Sequence, residues 1–455
     1  MRVHFIAIGG AAMHNLAIAL HKKGYTVSGS DDEIFEPSRS RLDRYNLLPE
    51  AFGWYPEKIT SDIDAIILGM HARIDNPELL EAQKQGIKIY SYPEFLYEQT
   101  KNKKRVVIAG SHGKTTITSM IMHVLKFHNI NFDYMVGSQI EGFDTMVNLE
   151  EHNKIAVFEG DEYLSSPIDM RSKFLHYNPH IALISGIAWD HINVFPTFDG
   201  YKEQFMHLIN DIQDNGHLVY YKNDEHLIQM SESFPEHIQV MDYDTHKHEI
   251  NSGKTTLITE SQNYSLEIFG THNLQNLNGA RLVLNQLNIS NEQFYQAIQS
   301  FQGAAKRLQL ITETDNSKVF IDFAHAPSKL KATLEAVREQ FPNHNLIACM
   351  ELHTFSSLNK DFLSEYEGSM NPADDATVFF SPETVKHKNL EEITPEMISE
   401  AFQRNDLNVI SEPNKLNAFF TSIDLSNTIV LLMSSGNFGG VNVKDIFKLK
   451  INSRQ

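Results

Sequence analysis

A glycine-rich segment, Gly110-Ser-His-Gly-Lys-Thr-Thr116, constrains this 455-residue chain more than any other feature. It follows the buried-strand run 106–109 and precedes apolar residues at helical spacing between positions 117 and 125. A helix that begins after such a turn offers free N–H groups and partial positive charge to phosphate oxygens. Lys114 would reach the terminal phosphates, and the Thr115 hydroxyl could ligate Mg²⁺. The glycine spacing is shorter than in the common G-x-x-x-x-G-K pattern, so we predict a shortened phosphate-binding loop rather than an incidental turn.

Acidic residues and a histidine follow the next strands of the same predicted sheet. Glu159, Asp161 and Glu162 come directly after the strand that ends at position 158, and His191 follows the strand-like run 181–185. Ligands collect at the carboxyl ends of parallel strands, and Mg²⁺ takes carboxylate, phosphate and water oxygens. Acidic loops are usually only solvated and a single histidine is usually structural. Their order behind the phosphate-binding loop nevertheless predicts one metal and phosphate site.

Strand-like and helix-like runs alternate along the whole chain, which indicates α/β domains with parallel sheets. The charged segment 101–105 is predicted to be a linker, and the pattern restarts around residues 301–305. We therefore predict three domains. They are a Rossmann-like N-terminal domain (1–104), a central P-loop ATPase-type domain (105–304) and a Rossmann-like C-terminal domain (305–455).

The charge balance limits the partners of the chain. The formal net charge is −19 and no basic face stands out, which argues against binding to nucleic acid or to an anionic membrane. No apolar run approaches the roughly 18 residues of a membrane-spanning helix. The single cysteine, Cys349, excludes an internal disulfide and fits a reducing compartment. We predict a cytoplasmic protein that binds anionic substrates through local devices such as helix N-termini, a lysine or a metal.

The N-terminal region contains a second nucleotide-binding pattern. Gly9 and Gly10 follow a strand-like run, and Asp31 follows the next one, as in a dinucleotide-binding fingerprint. The fingerprint is incomplete because Ala7 and Ala12 hold its outer glycine positions. A UDP diphosphate placed over the same helix N-terminus would use the same interactions, so the pattern alone leaves NAD and a UDP-sugar open.

Several segments together resemble the Mur ligases, cytoplasmic enzymes of peptidoglycan metabolism, over essentially the whole chain. The segment 110–116 resembles their ATP-binding loop, and Glu159-Gly-Asp-Glu162 resembles their Mg²⁺-binding acidic segment. Asp190-His191 resembles an Asp-His pair whose histidine helps to place a second Mg²⁺. Further matching segments are Thr271-His-Asn-Leu-Gln-Asn276 (adenine contact), Lys306-Arg307 (domain hinge) and Asp322-Phe-Ala-His325 (closure over the nucleotide).

The resemblance implies an ATP- and Mg²⁺-dependent ligase in which the lactyl carboxylate of UDP-N-acetylmuramate attacks ATP. An acyl phosphate forms, and an amine then displaces the phosphate. The implied catalytic residues are Lys114, Glu159 and His191, and the implied metal ligands are Thr115, Glu159 and His191. The implied ATP-binding residues are Gly110, Ser111, His112, Gly113, Lys114, Thr115, Thr116, Asn273, Asn276, Arg307, Asp322 and His325. The implied UDP-sugar-binding residues are Gly9, Gly10, Met13, Ser30 and Asp31.

The identity of the amine separates two branches of the family. One branch joins L-alanine, and the other joins a recycled peptide, L-alanyl-γ-D-glutamyl-meso-diaminopimelate. The segments 161–163, 171–177 and 433–440 resemble the peptide-joining branch, whereas the segment 351–358 resembles neither branch closely. We predict the peptide as the amine, bound by Arg171, His353 and Asn437. The alternatives are L-alanine, another ligase of this type such as a folate polyglutamating enzyme, and a P-loop ATPase that forms no bond.

Overall fold

The computed structural model describes residues 1–189, 194–251, 253–303 and 307–452. The chain forms two compact units. The first comprises Met1–Thr245 and Gln275–Ile298, and the second comprises His246–Leu274 and Gln299–Gln455. Among the described residues, no helix is both long enough and apolar enough to cross a membrane. The predicted α/β architecture is confirmed, because each of the three predicted regions contains its own, mainly parallel sheet.

The first unit begins with a four-stranded sheet in the order β2-β1-β3-β4. All its strand pairs are parallel, as a chain that alternates strands with crossover helices requires. The strands are β1 (Arg2–Ile6), β2 (Thr26–Ser30), β3 (Ala65–Leu68) and β4 (Ile89–Ser91). The helices are α1 (Ala11–Lys22), α2 (Ser38–Arg44), α3 (Pro77–Gln85) and α4 (Tyr92–Thr100).

The same unit contains a seven-stranded sheet in the order β13-β12-β11-β5-β8-β6-β7, in which only the edge strand β7 runs antiparallel to its neighbour. A separate hairpin joins β9 to β10. The strands are β5 (Lys104–Ala109), β6 (Asp133–Met135), β7 (Val147–Asn148), β8 (Ile155–Glu159), β9 (Leu164–Ser166), β10 (Asp169–Ser172), β11 (Ile181–Ile184), β12 (His217–Tyr221) and β13 (Gln239–Tyr243). The helices are α5 (Lys114–Phe127), α6 (Phe198–Asn210), α7 (Glu225–Ser231), α8 (Thr271–Asn285) and α9 (Asn291–Ile298). Residues 271–274 of α8 belong to the second unit.

The central strands explain why the sequence predicted this sheet. Residues 106–109 of β5 and all of β11 are buried, as expected for strands covered on both faces. The prediction of a linker at 101–105 is wrong in its last two residues, because β5 already begins at Lys104. Arg105 is only 3% exposed, and its guanidinium donates to the backbone carbonyls of Tyr177 (2.7 Å) and Asn178 (2.9 Å). Saturation of its donors by carbonyls allows a charged residue inside the strand.

The second unit contains a small antiparallel sheet and a six-stranded sheet in the order β17-β18-β22-β19-β20-β21. The small sheet consists of β14 (His248–Asn251), β15 (Lys254–Leu257) and β16 (Tyr264–Leu266). The large sheet consists of β17 (Gln309–Thr314), β18 (Ser317–Asp322), β19 (Asn345–Leu352), β20 (Asp375–Phe380), β21 (Asn408–Ile410) and β22 (Thr428–Met433). The helices are α10 (Pro327–Gln340), α11 (Pro382–His387), α12 (Pro395–Phe402), α13 (Pro413–Ser422) and α14 (Val443–Asn452).

Both faces of the six-stranded sheet are covered. One core contains Leu330 and Leu334 of α10 against one face, and a second core contains Leu416 and Phe420 of α13 against the other. The carboxyl ends of β18, β22 and β19 lie at one edge of the sheet, because these three strands are mutually parallel. The edge carries the functional candidates of this unit.

Candidate functional site

The phosphate-binding loop connects β5 to α5 as predicted. Gly110 (φ 122°) and Gly113 (φ 79°) adopt backbone conformations that favour glycine, and a Cβ atom at Gly110 would collide with Ser185. The Ser185 hydroxyl donates to the carbonyl of His112, and the Ser111 N–H donates to the carbonyl of Gly186 at 2.9 Å. The neighbouring strand β11 thus fixes the loop from its own carboxyl end. Ser185 belongs to no recognisable sequence motif, because its role depends on the pairing of β5 with β11.

Lys114 lies at the first turn of α5. Its ammonium donates to the Gly110 carbonyl at 2.6 Å and to the Glu162 carboxylate at 2.9 Å. Burial lowers the pKa of Lys114, but the neighbouring Glu162 carboxylate outweighs this effect, so the pKa lies above its usual value. The Tyr201 hydroxyl donates to the other oxygen of Glu162 at 3.1 Å. Lys114 is therefore held over the loop as a cation at neutral pH.

The three acidic residues at the end of β8, Glu159, Asp161 and Glu162, have different partners. The Thr115 hydroxyl donates to Glu159 at 2.7 Å, and the Gly137 N–H donates to the second oxygen of Glu159 at 2.8 Å. Asp161 instead accepts from Lys173 at 2.6 Å, and Glu162 pairs with Lys114. Glu159 is thus the carboxylate that shares a site with the Thr115 hydroxyl.

This pair of oxygen ligands fits Mg²⁺, which prefers hard oxygen donors and normally completes its shell with phosphate and water. Among the described residues, no cluster of three His, Cys, Asp or Glu side chains could enclose a metal ion alone. An ion at Thr115 and Glu159 would therefore require additional ligands, such as the oxygens of a nucleotide. His191, the other predicted ligand, lies outside the described residues.

Asn276, on α8, is the adenine-segment residue that the structure brings to the loop. It is 7% exposed, and its carboxamide lies so close to Gly113 that a Cβ atom there would collide with it. Asn273, one turn earlier, instead donates to the carbonyl of Phe269 at 2.8 Å. Thr116, the third residue of α5, is 7% exposed.

The predicted closing segment lies at the carboxyl end of β18 in the second unit. Asp322 is 6% exposed and accepts the N–H groups of Leu308 (2.6 Å) and Ala324 (2.7 Å). Because both carboxylate oxygens accept backbone N–H groups, Asp322 stabilises the turn after β18, which carries His325. Arg307 places its guanidinium over the Phe323 ring at 4.8 Å from the centroid. Lys306, the other residue of the predicted hinge, lies outside the described residues.

The predicted sugar-nucleotide residues meet at the carboxyl ends of β1 and β2. The Gly9 N–H donates to Asp31 at 2.7 Å, and Gly10 immediately precedes α1. Ser30 has a buried hydroxyl without a hydrogen-bond partner among the described residues, so it is available to a ligand. Met13 is 4% exposed and belongs to the hydrophobic core, so the structure does not support a direct contact between its side chain and the nucleotide.

Asp31 provides a pH-dependent test of this predicted nucleotide site. Burial, together with the neighbouring Asp32, raises the pKa of the Asp31 carboxyl to about 6, although the Gly9 N–H opposes this shift. An ionised carboxylate accepts ribose hydroxyls better than a protonated one does, and a diphosphate diester has no proton to lose in this range. We expect the affinity for UDP-N-acetylglucosamine, measured by calorimetry, to increase as pH rises through about 6. The Asp31→Asn variant should bind UDP-N-acetylglucosamine more weakly, with an affinity that does not change with pH. A wild-type affinity that does not change with pH would contradict a role of Asp31 in accepting the ribose hydroxyls.

The predicted amine-binding residues belong to both units of the chain. Arg171, in the hairpin of the first unit, pairs with Asp169 at 2.7 Å. His353 and Asn437 lie in the second unit, after β19 and β22, and a Cβ atom at Gly436 would lie 2.7 Å from the His353 ring. The structure thus brings the His353 and Asn437 segments together at adjacent strand ends.

Glu351 is a residue of this edge that the sequence analysis did not assign. It is 2% exposed and accepts the Ser434 hydroxyl and, at 2.7 Å, the Phe438 N–H. It therefore fixes the loop that carries Asn437. Its only signal in the sequence was an acidic residue next to the end of a mainly apolar strand.

A P-loop lysine, a threonine hydroxyl and a strand-end carboxylate in an α/β sheet define a nucleoside-triphosphate-binding enzyme. Three family models match the chain in order: "Mur ligase family, catalytic domain" at residues 2–104, "Mur ligase middle domain" at 108–284 and "Mur ligase, glutamate ligase domain" at 306–436. The UDP-N-acetylmuramate–L-alanine ligase of Caldicellulosiruptor bescii is 30% identical over 413 residues, with 87% of this chain and 86% of that protein covered. The chain belongs to the Mur ligase family, and it is an ATP-dependent ligase that forms C–N bonds.

Two solved structures of this family match nearly the whole chain. The alanine ligase from Thermotoga maritima has a TM-score of 0.73 at 20% identity, with 100% of both chains covered. The murein peptide ligase from Psychrobacter arcticus has a TM-score of 0.64 at 22% identity, with 98% of both chains covered. At these identities the likeness shows a shared three-domain fold and leaves the choice of amine open.

Proposed function

We propose that this enzyme joins the lactyl carboxylate of UDP-N-acetylmuramate to the α-amino group of L-alanine. The observation that carries this proposal is the sequence match to relatives named UDP-N-acetylmuramate–L-alanine ligase, which extends over most of the chain. The first candidate for the amine is free L-alanine, because these relatives bear that name. The second candidate, a peptide that begins with L-alanine, would present the same amino group to the same acyl phosphate.

The geometry around Lys114 suits activation of the carboxylate by ATP. Attack on the γ-phosphate concentrates negative charge, so fixed positive groups at that position lower the barrier. The N–H groups at the start of α5 and the Lys114 ammonium would neutralise the phosphate oxygens. Thr115 and Glu159 would hold Mg²⁺, which would offset the repulsion between carboxylate and triphosphate when bound. The amine must be neutral when it displaces phosphate, and the edge formed by Glu351, His353 and Asn437 is the proposed place for it.

The second candidate is favoured by a specific observation in the first unit. The side chain of Arg171 is 61% exposed on a hairpin, and its guanidinium pairs with Asp169. Nε and Nη2 of Arg171 already donate to the two oxygens of Asp169 at 3.0 and 2.7 Å, so a substrate carboxylate would bind through its remaining donors or displace Asp169. A recycled tripeptide carries carboxylates beyond the single one of L-alanine. The segments 161–163 and 171–177 around it also resemble the peptide-joining branch, so the predicted peptide substrate stays a prediction.

A panel of amines tests the proposal. The protein would be incubated with ATP, Mg²⁺ and UDP-N-acetylmuramate, together with either L-alanine or L-alanyl-γ-D-glutamyl-meso-diaminopimelate. Phosphate release and product mass would be followed together. We expect the UDP-N-acetylmuramyl-L-alanine product with L-alanine. A product from the tripeptide alone would replace the first candidate with the second. Phosphate release that needs neither amine nor sugar nucleotide would overturn both in favour of a plain ATPase.

A further inference from the structure

Arg41, which none of the predicted sites includes, lies beside the glycine turn of the N-terminal sheet. It is on α2, one turn after Ser38 and on the same side of the helix. The Ser38 hydroxyl is 3.0 Å from Nδ1 of His14, which is itself 2.9 Å from the carbonyl oxygen of Gly10. These contacts place Arg41 next to the turn that is proposed to hold the sugar nucleotide.

The other side of Arg41 faces the loop that positions Glu159. Its guanidinium donates to the Gln139 side-chain oxygen at 2.7 Å, with a longer contact of 3.4 Å to the side-chain oxygen of Asn15. The Gln139 amide group is fixed in turn, because it donates to the carbonyl of Phe143. Two residues before Gln139, the Gly137 N–H donates to Glu159 at 2.8 Å. Arg41 therefore lies between the proposed sugar-nucleotide turn and the proposed metal carboxylate.

The charge of Arg41 has no acidic partner. It is half-buried, and within the described part of the chain its partners are neutral amide oxygens, with no Asp or Glu among them. Arg171, Arg338 and Arg404 all pair with an aspartate at 2.6–2.7 Å. A guanidinium has five N–H donors in a fork that matches phosphate or carboxylate, so Arg41 retains donors for an anion.

We propose that Arg41 binds an anionic group of the sugar nucleotide, either the diphosphate or the lactyl carboxylate, and that Gln139 orients the guanidinium before the substrate arrives. This inference rests on the proposed sugar-nucleotide substrate. An anion held at Arg41 lies beside the loop of Glu159, so the same contact that binds the substrate also directs it toward the proposed phosphoryl-transfer site. Neutral partners are consistent with this role, because an acidic partner would compete with the substrate.

The test compares Arg41→Gln with Arg44→Gln, a matched substitution at an exposed position of the same helix. We expect Arg41→Gln to raise KM for UDP-N-acetylmuramate about tenfold or more, with an unchanged KM for ATP. Arg44→Gln should stay within about twofold of wild type. Gln139→Leu retains the cation, so it should weaken binding less than Arg41→Gln does. An unchanged KM for Arg41→Gln, or equal losses in Arg41→Gln and Gln139→Leu, would overturn the inference in favour of a structural bridge.

UDP-N-acetylglucosamine distinguishes the two anions, because it has the diphosphate but no lactyl carboxylate. If Arg41 binds the diphosphate, calorimetry with Arg41→Gln should show weaker binding of both sugar nucleotides by the same factor. If it binds the carboxylate, only UDP-N-acetylmuramate should bind more weakly. Wild-type protein that binds neither sugar nucleotide would refute the proposed function itself. Wild-type binding that Arg41→Gln leaves unchanged would refute this inference alone.

Discussion

Lys114→Ala should reduce ATP-dependent ligation by roughly 10³-fold or more, the largest loss that we expect from any single substitution. The Lys114 ammonium is fixed by the Gly110 carbonyl at 2.6 Å and by Glu162 at 2.9 Å, so it requires little rearrangement to meet phosphate oxygens. Its raised pKa keeps it charged until well above neutral pH. The loss should therefore appear across the whole physiological pH range. Initial rates of product formation at saturating substrates measure it.

The stability of this variant must be separated from its activity. Glu162 has a side chain that is 0% exposed, and removal of Lys114 leaves its charge buried with the Tyr201 hydroxyl as a remaining donor. We expect the free energy of unfolding to fall by on the order of 3 kcal/mol. The double variant Lys114→Ala/Glu162→Gln should recover most of that stability in denaturant titrations but none of the activity. Near wild-type ligation by the single variant would contradict the role of the loop.

The elements of the fold were predictable where the information is local. The run 106–109, the glycines after it and the helical spacing from 117 to 125 define a strand, a turn and a helix without knowledge of any other segment. The placing of Glu159 near Thr115 was also predictable, because Glu159 ends β8, Thr115 follows β5, and parallel strands end at one edge of the sheet.

What the sequence did not reveal depends on contacts between distant segments. Arg105 appeared to belong to a charged linker, because its Nε and Nη2 donate to the carbonyls of residues 177 and 178, which are remote in sequence, and only its Nη1 donates to carbonyls nearby. Arg41 and Gln139 are 98 residues apart, and Glu351 is 87 residues from Phe438, so neither pair forms a motif. Met13 matched a family position, but its side chain packs in the hydrophobic core. An apolar side chain in the first turn of an amphipathic helix can face the core instead of contacting a ligand.

Glu159→Gln should reduce kcat by about 10²-fold or more and raise the Mg²⁺ concentration needed for half-maximal rate by about tenfold. The substitution retains the size of the side chain, and one oxygen can still accept from Thr115 or from the Gly137 N–H. The amide group, however, presents N–H donors where the carboxylate accepts at 2.7 and 2.8 Å. The negative charge that attracts the cation is also lost. Rates measured against Mg²⁺ at saturating ATP report both effects.

Asp161→Asn is the matched control, because Asp161 lies two residues away but accepts from Lys173 at 2.6 Å rather than from Thr115. Its side chain is 36% exposed, so loss of this ion pair should cost little stability and leave the Mg²⁺ titration within about twofold of wild type. The reverse result, an unchanged titration for Glu159→Gln and a shifted one for Asp161→Asn, would move the metal to Asp161. It would then require Lys173 to release that carboxylate when the nucleotide binds. The hydrogen bond between Thr115 and Glu159 argues against this arrangement. It places the carboxylate of Glu159, and not that of Asp161, beside the hydroxyl that is predicted to ligate the metal.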